Sequence, residues 1–185
     1  VKPLACLITL CLVALVSGTL ESKEFRYHVD AYDKTFVLHP VEDQVMIRFT
    51  DQASSSDIVG LLREYGLRQI HGANMNDRFG VYGIPSSADP DGVMMELRRS
   101  KWVRSLDHPV IDQEGFTKYY VPDEVTVRFR ESVPEGVQLR IIGEMACRVS
   151  VRQWTPGYYT LRFSAGKDLF GLVRAFMERD EVKFS

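Results

Sequence analysis

The chain has 185 residues, 45% of them hydrophobic and 26% charged, with a net charge of −2 and a pI near 6.1. That balance belongs to an ordinary globular protein. It excludes recruitment of nucleic acid or of an anionic membrane by bulk charge.

In chain order, the first predicted element is residues 1–20, VKPLACLITLCLVALVSGTL. Lys2 stands ahead of an apolar run from Leu4 to Val16 that is too short to span a bilayer comfortably. Ser17 and Gly18 close the run, with Val16 and Gly18 suited to the −3 and −1 cleavage positions. This is the pattern of a secretory signal peptide and predicts a secreted, extracellular protein. A buried apolar helix or strand is the structural alternative. No cysteine follows Gly18 to support a lipid-anchored start, and Val1 in place of Met fits an alternative start codon or a trimmed N-terminus.

Removing 20 of 185 residues leaves 165, enough for one domain of usual size or two small ones. Cys6 and Cys11 leave with the signal, so Cys147 is alone and the mature chain has no internal disulfide. MACRVSV puts Cys147 where an apolar strand begins, which favours a small buried hydrophobe over a nucleophile or redox centre.

After a tyrosine-rich lead segment at 21–42, DQVMIRF (Asp43–Phe49) predicts a strand, and nearly the same strand returns as DEVTVRF (Asp123–Phe129), 80 positions on (123 minus 43). Behind the first copy, Ile58, Leu61, Leu62 and Tyr65 fall at i, i+3, i+4 and i+7, one apolar helical face. Ser54–Ser56 reads as the N-cap of that helix. LRQIHG and FGVYGI are short strands. Asp89 as N-cap and Pro90 as first helical residue open a second helix whose buried side is Val93, Met94 and Leu97, and KWVRSL is a closing strand. The order is βαββαβ over 43–106.

Residues 107–122, DHPVIDQEGFTKYYVP, are punctuated by Pro109, Gly115 and Pro122 and are predicted to be a linker. The same element order then fills 123–185. EVTVRF is a strand, Val133, Val137, Ile141 and Met145 stripe a helix, and CRVSVRQW and GYYTLRF are strands. Leu169, Leu172, Val173 and Phe176 give a second helical face, and EVKFS begins a last strand inside which the sequence stops. Glu64 matches Glu144 (offset 80), Tyr82 matches Tyr159 (77) and Val103 matches Val182 (79), so the slips fall in loops and the pattern is a tandem duplication. The expected fold class is α+β: two tandem ferredoxin-like modules, each an antiparallel sheet with two helices on one face.

The residues that could carry chemistry are sparse. His28, His39, His71 and His108 lack metal-ligand spacing. HGAN (His71–Asn74) has the histidine-glycine pair of one serine-protease family but no glycine-flanked serine or matching aspartate motif, so it reads as a strand end and turn. Gly80, Gly83, Gly157 and Gly171 are isolated rather than a phosphate loop. No catalytic, cofactor-binding or metal residues are assigned, and the chain itself is not expected to be an enzyme. GYYTLRF sits where RNA-recognition motifs carry stacking aromatics, yet Thr160 replaces one of them and the protein is acidic. A sheet packed on a protein partner explains Tyr158 and Tyr159 as easily.

LLREYGLRQI (Leu61–Ile70), RFGVYGIP (Arg78–Pro85) and RDEVKFS (Arg179–Ser185) resemble the N-terminal prodomain of secreted subtilisin-like serine proteases, of the fervidolysin-like kind. FRYHVDAYDKTFVLHPVEDQVMIRF is similar to the lead that precedes such prodomains. The likeness spans roughly residues 25–185. It implies a propeptide that acts as intramolecular chaperone and temporary inhibitor of a cognate catalytic domain, in cis or in trans, with no cofactor, no nucleic acid and no membrane contact once the signal is removed. It also implies that Val182, Lys183, Phe184 and Ser185 lead into the substrate cleft, pairing by backbone. A plain edge strand is the structural alternative. The family often has one module where this chain has two, so the first would be a spacer and the second the inhibitor. A fragment of a longer zymogen, a stand-alone secreted inhibitor and a secreted protein-binding module all stay open.

Overall fold

A computed structural model describes residues 25–29, 34–71 and 78–184. The expected signal peptide at 1–20 lies outside the described residues, as do Gly72 to Asn74 of the HGAN turn and Ser185. The fold is α+β, with four helices and three antiparallel sheets among the described residues.

Two strands lead the chain, β1 (Phe25–Val29) and β2 (Lys34–Pro40), paired with Phe25 opposite Leu38. The first repeat unit then runs β3 (Gln44–Phe49), α1 (Ser55–Glu64), β4 (Arg68–His71), β5 (Phe79–Gly83), α2 (Pro90–Arg99) and β6 (Val103–Asp107). Between the units lie β7 (Val110–Asp112) and β8 (Thr117–Lys118). The second unit is β9 (Glu124–Phe129), α3 (Glu135–Glu144), β10 (Arg148–Arg152), β11 (Tyr158–Arg162), α4 (Leu169–Met177) and β12 (Val182–Phe184).

The local chemistry explains the boundaries. Ser54 caps α1 in a reciprocal capping box, its side chain accepting from the Asp57 N–H while the Asp57 carboxylate accepts from the Ser54 N–H. Asp89 caps α2 by accepting from the Gly92 N–H, with Pro90 fixing the first helical φ. Alternation then sorts the faces. Val45, Ile47 and Phe49 of β3 are buried on the helix side with Ile58, Leu61, Met94 and Leu97; Val125, Val127 and Phe129 of β9 are buried with Ile141, Leu172 and Phe176. Of the predicted stripe, Ile141 is in the core and Val133, Val137 and Met145 pack against it partly buried, while Gln138 and Ile142 widen the buried side of α3 beyond that stripe.

The strand order is β4-β5-β3-β6 in one unit and β10-β11-β9-β12 in the other, the same arrangement twice. The repetition reaches single hydrogen bonds. The Phe49 N–H donates to Arg78 O at 2.7 Å and the Phe129 N–H to Gly157 O at 2.8 Å; Arg78 and Gly157 both have positive φ, 49° and 74°. The Ile84 N–H donates to Asp43 O at 2.8 Å and the Phe163 N–H to Asp123 O at 3.1 Å. Phe49 meets Tyr82 edge-on at 6.2 Å, and Phe129 meets Tyr159 at 6.0 Å.

Segment 107–122 does more than connect. β7 and β8 join β1 and β2 in a third sheet ordered β1-β2-β7-β8, with Leu38 opposite Asp112 and Pro40 opposite Val110. Leu38 and Val110 are buried, and with Tyr120 they line an apolar cleft against Leu169, Phe170 and Val173 of α4. Tyr120 also holds the first unit: its N–H approaches Met46 Sδ at 3.2 Å, and its hydroxyl donates to Asp107 Oδ2 at 3.0 Å. Met46, on the face of β3 away from the helices, is thereby fully buried.

Candidate docking surface

The predicted cleft-leading residues occupy the edge of the second sheet. Val182 lies opposite Phe129 and Phe184 opposite Arg128, with a register irregularity between them. Val182 is buried in the second core, so its side chain is committed to folding. Lys183 and Phe184 are exposed, and Ser185 lies outside the described residues. The prediction therefore divides into one anchor and two presented side chains.

Phe184 does not stand alone. Tyr158 and Phe184 are both opposite Arg128, one on β11 and one on β12, so the three side chains form a row across the face of the sheet away from the helices. The Phe184 ring meets Tyr158 edge-on, 5.5 Å between centroids at 71°. Arg128 is 3.7 Å from Glu131. Tyr158 was legible in GYYTLRF, but its meeting with Phe184 depends on a strand pairing 26 residues away in sequence (184 minus 158). At the β10–β11 turn, Trp154 is 100% exposed.

Behind this surface the units are tied by charge. Asp123, 1% exposed, accepts from Arg48 Nη1 at 3.2 Å and from Arg104 Nε at 2.9 Å, both from the first unit. Glu124 is 2.6 Å from Arg48 and 2.9 Å from Arg162. Burial opposes the charge on Arg48, but Glu124 and Asp123 outweigh it and raise the guanidinium's pKa above its usual value. No motif marked these residues in advance, because their partners come from strands 19 to 75 positions apart.

The other candidate groups are structural. Cys147 is buried and burial pushes its thiol pKa up, with Lys167 only partly opposing, so the reactive thiolate is disfavoured. His108 Nδ1 sits 2.7 Å from Gln44 O. Burial, then Asp107, pushes the Tyr120 phenol far above its usual pKa. Ser54 is spent on its cap. Among the described residues no group of three or more His, Cys, Asp or Glu is placed to hold a metal ion, and no helix is long and apolar enough to cross a membrane. The surface offers a sheet edge and an aromatic pair with Arg128 on the strand between them in the row.

Comparison with protein families and with curated proteins finds no match to this chain.

Proposed function

We propose that the chain is the propeptide region of a secreted subtilisin-like serine endopeptidase, serving the catalytic domain as intramolecular chaperone and temporary inhibitor. In this reading residues 1–20 direct secretion, each βαββαβ unit is a ferredoxin-like module, and the chain itself supplies no catalytic residue. The observation that carries it is the place of β12. The strand that the family resemblance assigns to the cleft-leading segment is at a sheet edge, anchored by Val182 and presenting Lys183 and Phe184. An edge offers backbone N–H and C=O groups for pairing, which is how an extended segment occupies a protease cleft without special side chains. The Tyr158–Phe184 row beside it offers apolar surface for a partner's helices.

One observation favours a second reading, a stand-alone secreted inhibitor or protein-binding module. The bare indole of Trp154 lies on the turn joining β10 to β11, away from the β12 edge, and tryptophan is enriched among residues that dominate binding energy.

The test is refolding. A denatured subtilisin-like catalytic domain is diluted into buffer with and without the chain, and recovered activity is followed after the chain is digested. A higher yield with the chain supports the propeptide reading. Equal yields across a panel of such proteases favour the binding module.

A further inference from the structure

A cleft of about 700 Å³ opens where β6 of the first unit faces β10 and β11 of the second. Arg104, Arg148 and Arg162 line it, with the hydroxyl-bearing Ser150 and Ser164. Its size is that of a small-ligand site, and its wall contains no carboxylate. Asp123 and Glu124 lie behind the wall and are shared: Asp123 serves Arg48 and Arg104, and Glu124 serves Arg48 and Arg162. Asp51, also within ion-pair reach of Arg104 at 3.9 Å, is 87% exposed. Arg48, Arg104, Arg148 and Arg162 against Asp123, Glu124 and Asp51 leave a net +1, four minus three.

Two details show where that charge is available. Arg148 lines the cleft, is exposed and makes no ion pair with any described residue. Arg162 Nε is buried with no hydrogen-bond partner among the described residues; its nearest carboxylate oxygen, Asp123 Oδ2, is 3.8 Å away, beyond hydrogen-bond reach. That Nε is itself closed to solvent, so an anion in the cleft would meet the exposed part of the Arg162 guanidinium, whose side chain is 28% exposed, beside the exposed Arg148. Guanidiniums match tetrahedral oxyanions because their N–H groups form parallel, charge-assisted pairs with adjacent oxygens.

We propose that this inter-unit cleft binds a tetrahedral oxyanion of the phosphate or sulfate class, with Arg148 and Arg162 as its principal ligands. The anion would add a contact between the units, since Arg104 reaches the cleft from the first and the other two arginines from the second.

The test is a titration of inorganic phosphate into the full chain at constant ionic strength, following arginine Nε–H resonances. Saturable shifts at Arg148 and Arg162 are expected, with Arg148→Gln weakening the affinity by about tenfold, the worth of one charged hydrogen bond. Arg140→Gln, on the exposed side of α3 and outside the cleft, leaves the affinity unchanged. Linear, unsaturated shifts, or equal affinity in Arg148→Gln, would overturn the proposal. A parallel titration with phenyl phosphate identifies the source. Binding equal to that of phosphate indicates the end of a larger phosphate ester, and binding of inorganic phosphate alone indicates the free ion.

Discussion

Gly66 and Ala146 occupy the same place in the two units, one residue past the C-cap of α1 and of α3, and both are left-handed, with φ of 63° and 50°. Each closes its helix with the same pair of bonds: the Gly66 N–H to Arg63 O and Leu67 N–H to Leu62 O, the Ala146 N–H to Gly143 O and Cys147 N–H to Ile142 O. A Cβ in this conformation costs about 1–2 kcal/mol, against about 0.4–1 kcal/mol for the looser unfolded chain of glycine. Ala146→Gly should therefore stabilise the protein by about 0.5–1 kcal/mol. Gly66→Ala should destabilise it by about 1–2 kcal/mol, since its Cβ would also lie 3.1 Å from Pro85 Cγ. Urea unfolding of both variants measures the two signs.

Asp123 holds the units together, whereas Asp43, its counterpart 80 residues earlier, is exposed. Removing one partner of a buried ion cluster leaves guanidiniums uncompensated, and Asp123→Asn should cost about 3–5 kcal/mol. Asp43→Asn should stay within about 0.5 kcal/mol of the parent. Chemical denaturation of the pair, read by midpoint and slope, checks the contrast.

Inside the second core, the Tyr159 hydroxyl donates to Gln138 Oε1 at 2.8 Å, and Gln138 Nε2 donates to Val133 O at 2.7 Å. Gln138 is buried, so Tyr159→Phe strands its carbonyl and should cost about 1–3 kcal/mol. Thermal unfolding of Tyr159→Phe beside Tyr159→Phe with Gln138→Leu tests the mechanism, because removing both polar partners should restore part of the loss.

The β7–β8 hairpin carries a pH dependence. Burial would raise the Asp112 pKa, but Lys118 at 2.9 Å and the N–H groups of Phe116 and Glu114 outweigh burial and hold the carboxyl below its usual 3.8. A depressed carboxylate contributes its stability above the unfolded value and loses it as pH falls through the folded one. Amide exchange at Phe116 should therefore accelerate below about pH 3.8, and Asp112→Asn should lose that acid step while exchanging faster at neutral pH.

These sites differ in how far they could be read in advance. The helices with strong local signals were legible: Ser54 and Asp89 are caps, and Ile58, Leu61, Leu169 and Leu172 face the cores, because period and capping act within a few residues. β7 and β8 have only three and two residues, too short for alternation to register, and they are strands because β2 pairs with β7 from 70 residues away, Pro40 to Val110. The Asp123 cluster and the inter-unit cleft depend on long-range pairing in the same way. Ala146 carries no local sign of a left-handed backbone; only its alignment with Gly66 points to one. At the docking surface, Phe184 was legible as a residue but not its face: Val182 and Phe184 are two positions apart and would share a face in a regular strand, and the register irregularity between them sets Val182 opposite Phe129 in the core and Phe184 opposite Arg128 on the outer face.

Truncation after Asp180 removes β12 with both its anchor and its presented residues. Phe184→Ala keeps Val182 in the core and removes only the ring on Tyr158. If the segment leads into a cleft, the truncation should lose inhibition of a subtilisin-like protease by at least about tenfold, while Phe184→Ala falls between it and the parent. Inhibition constants for the three proteins give the order.

The most direct measurement is the rate of substrate hydrolysis by a purified subtilisin-like protease, followed over hours at increasing concentrations of residues 22–185. The account predicts inhibition that grows with concentration and then fades as the chain is itself cleaved. Hydrolysis at the uninhibited rate at every concentration, across a panel of such proteases, would contradict it.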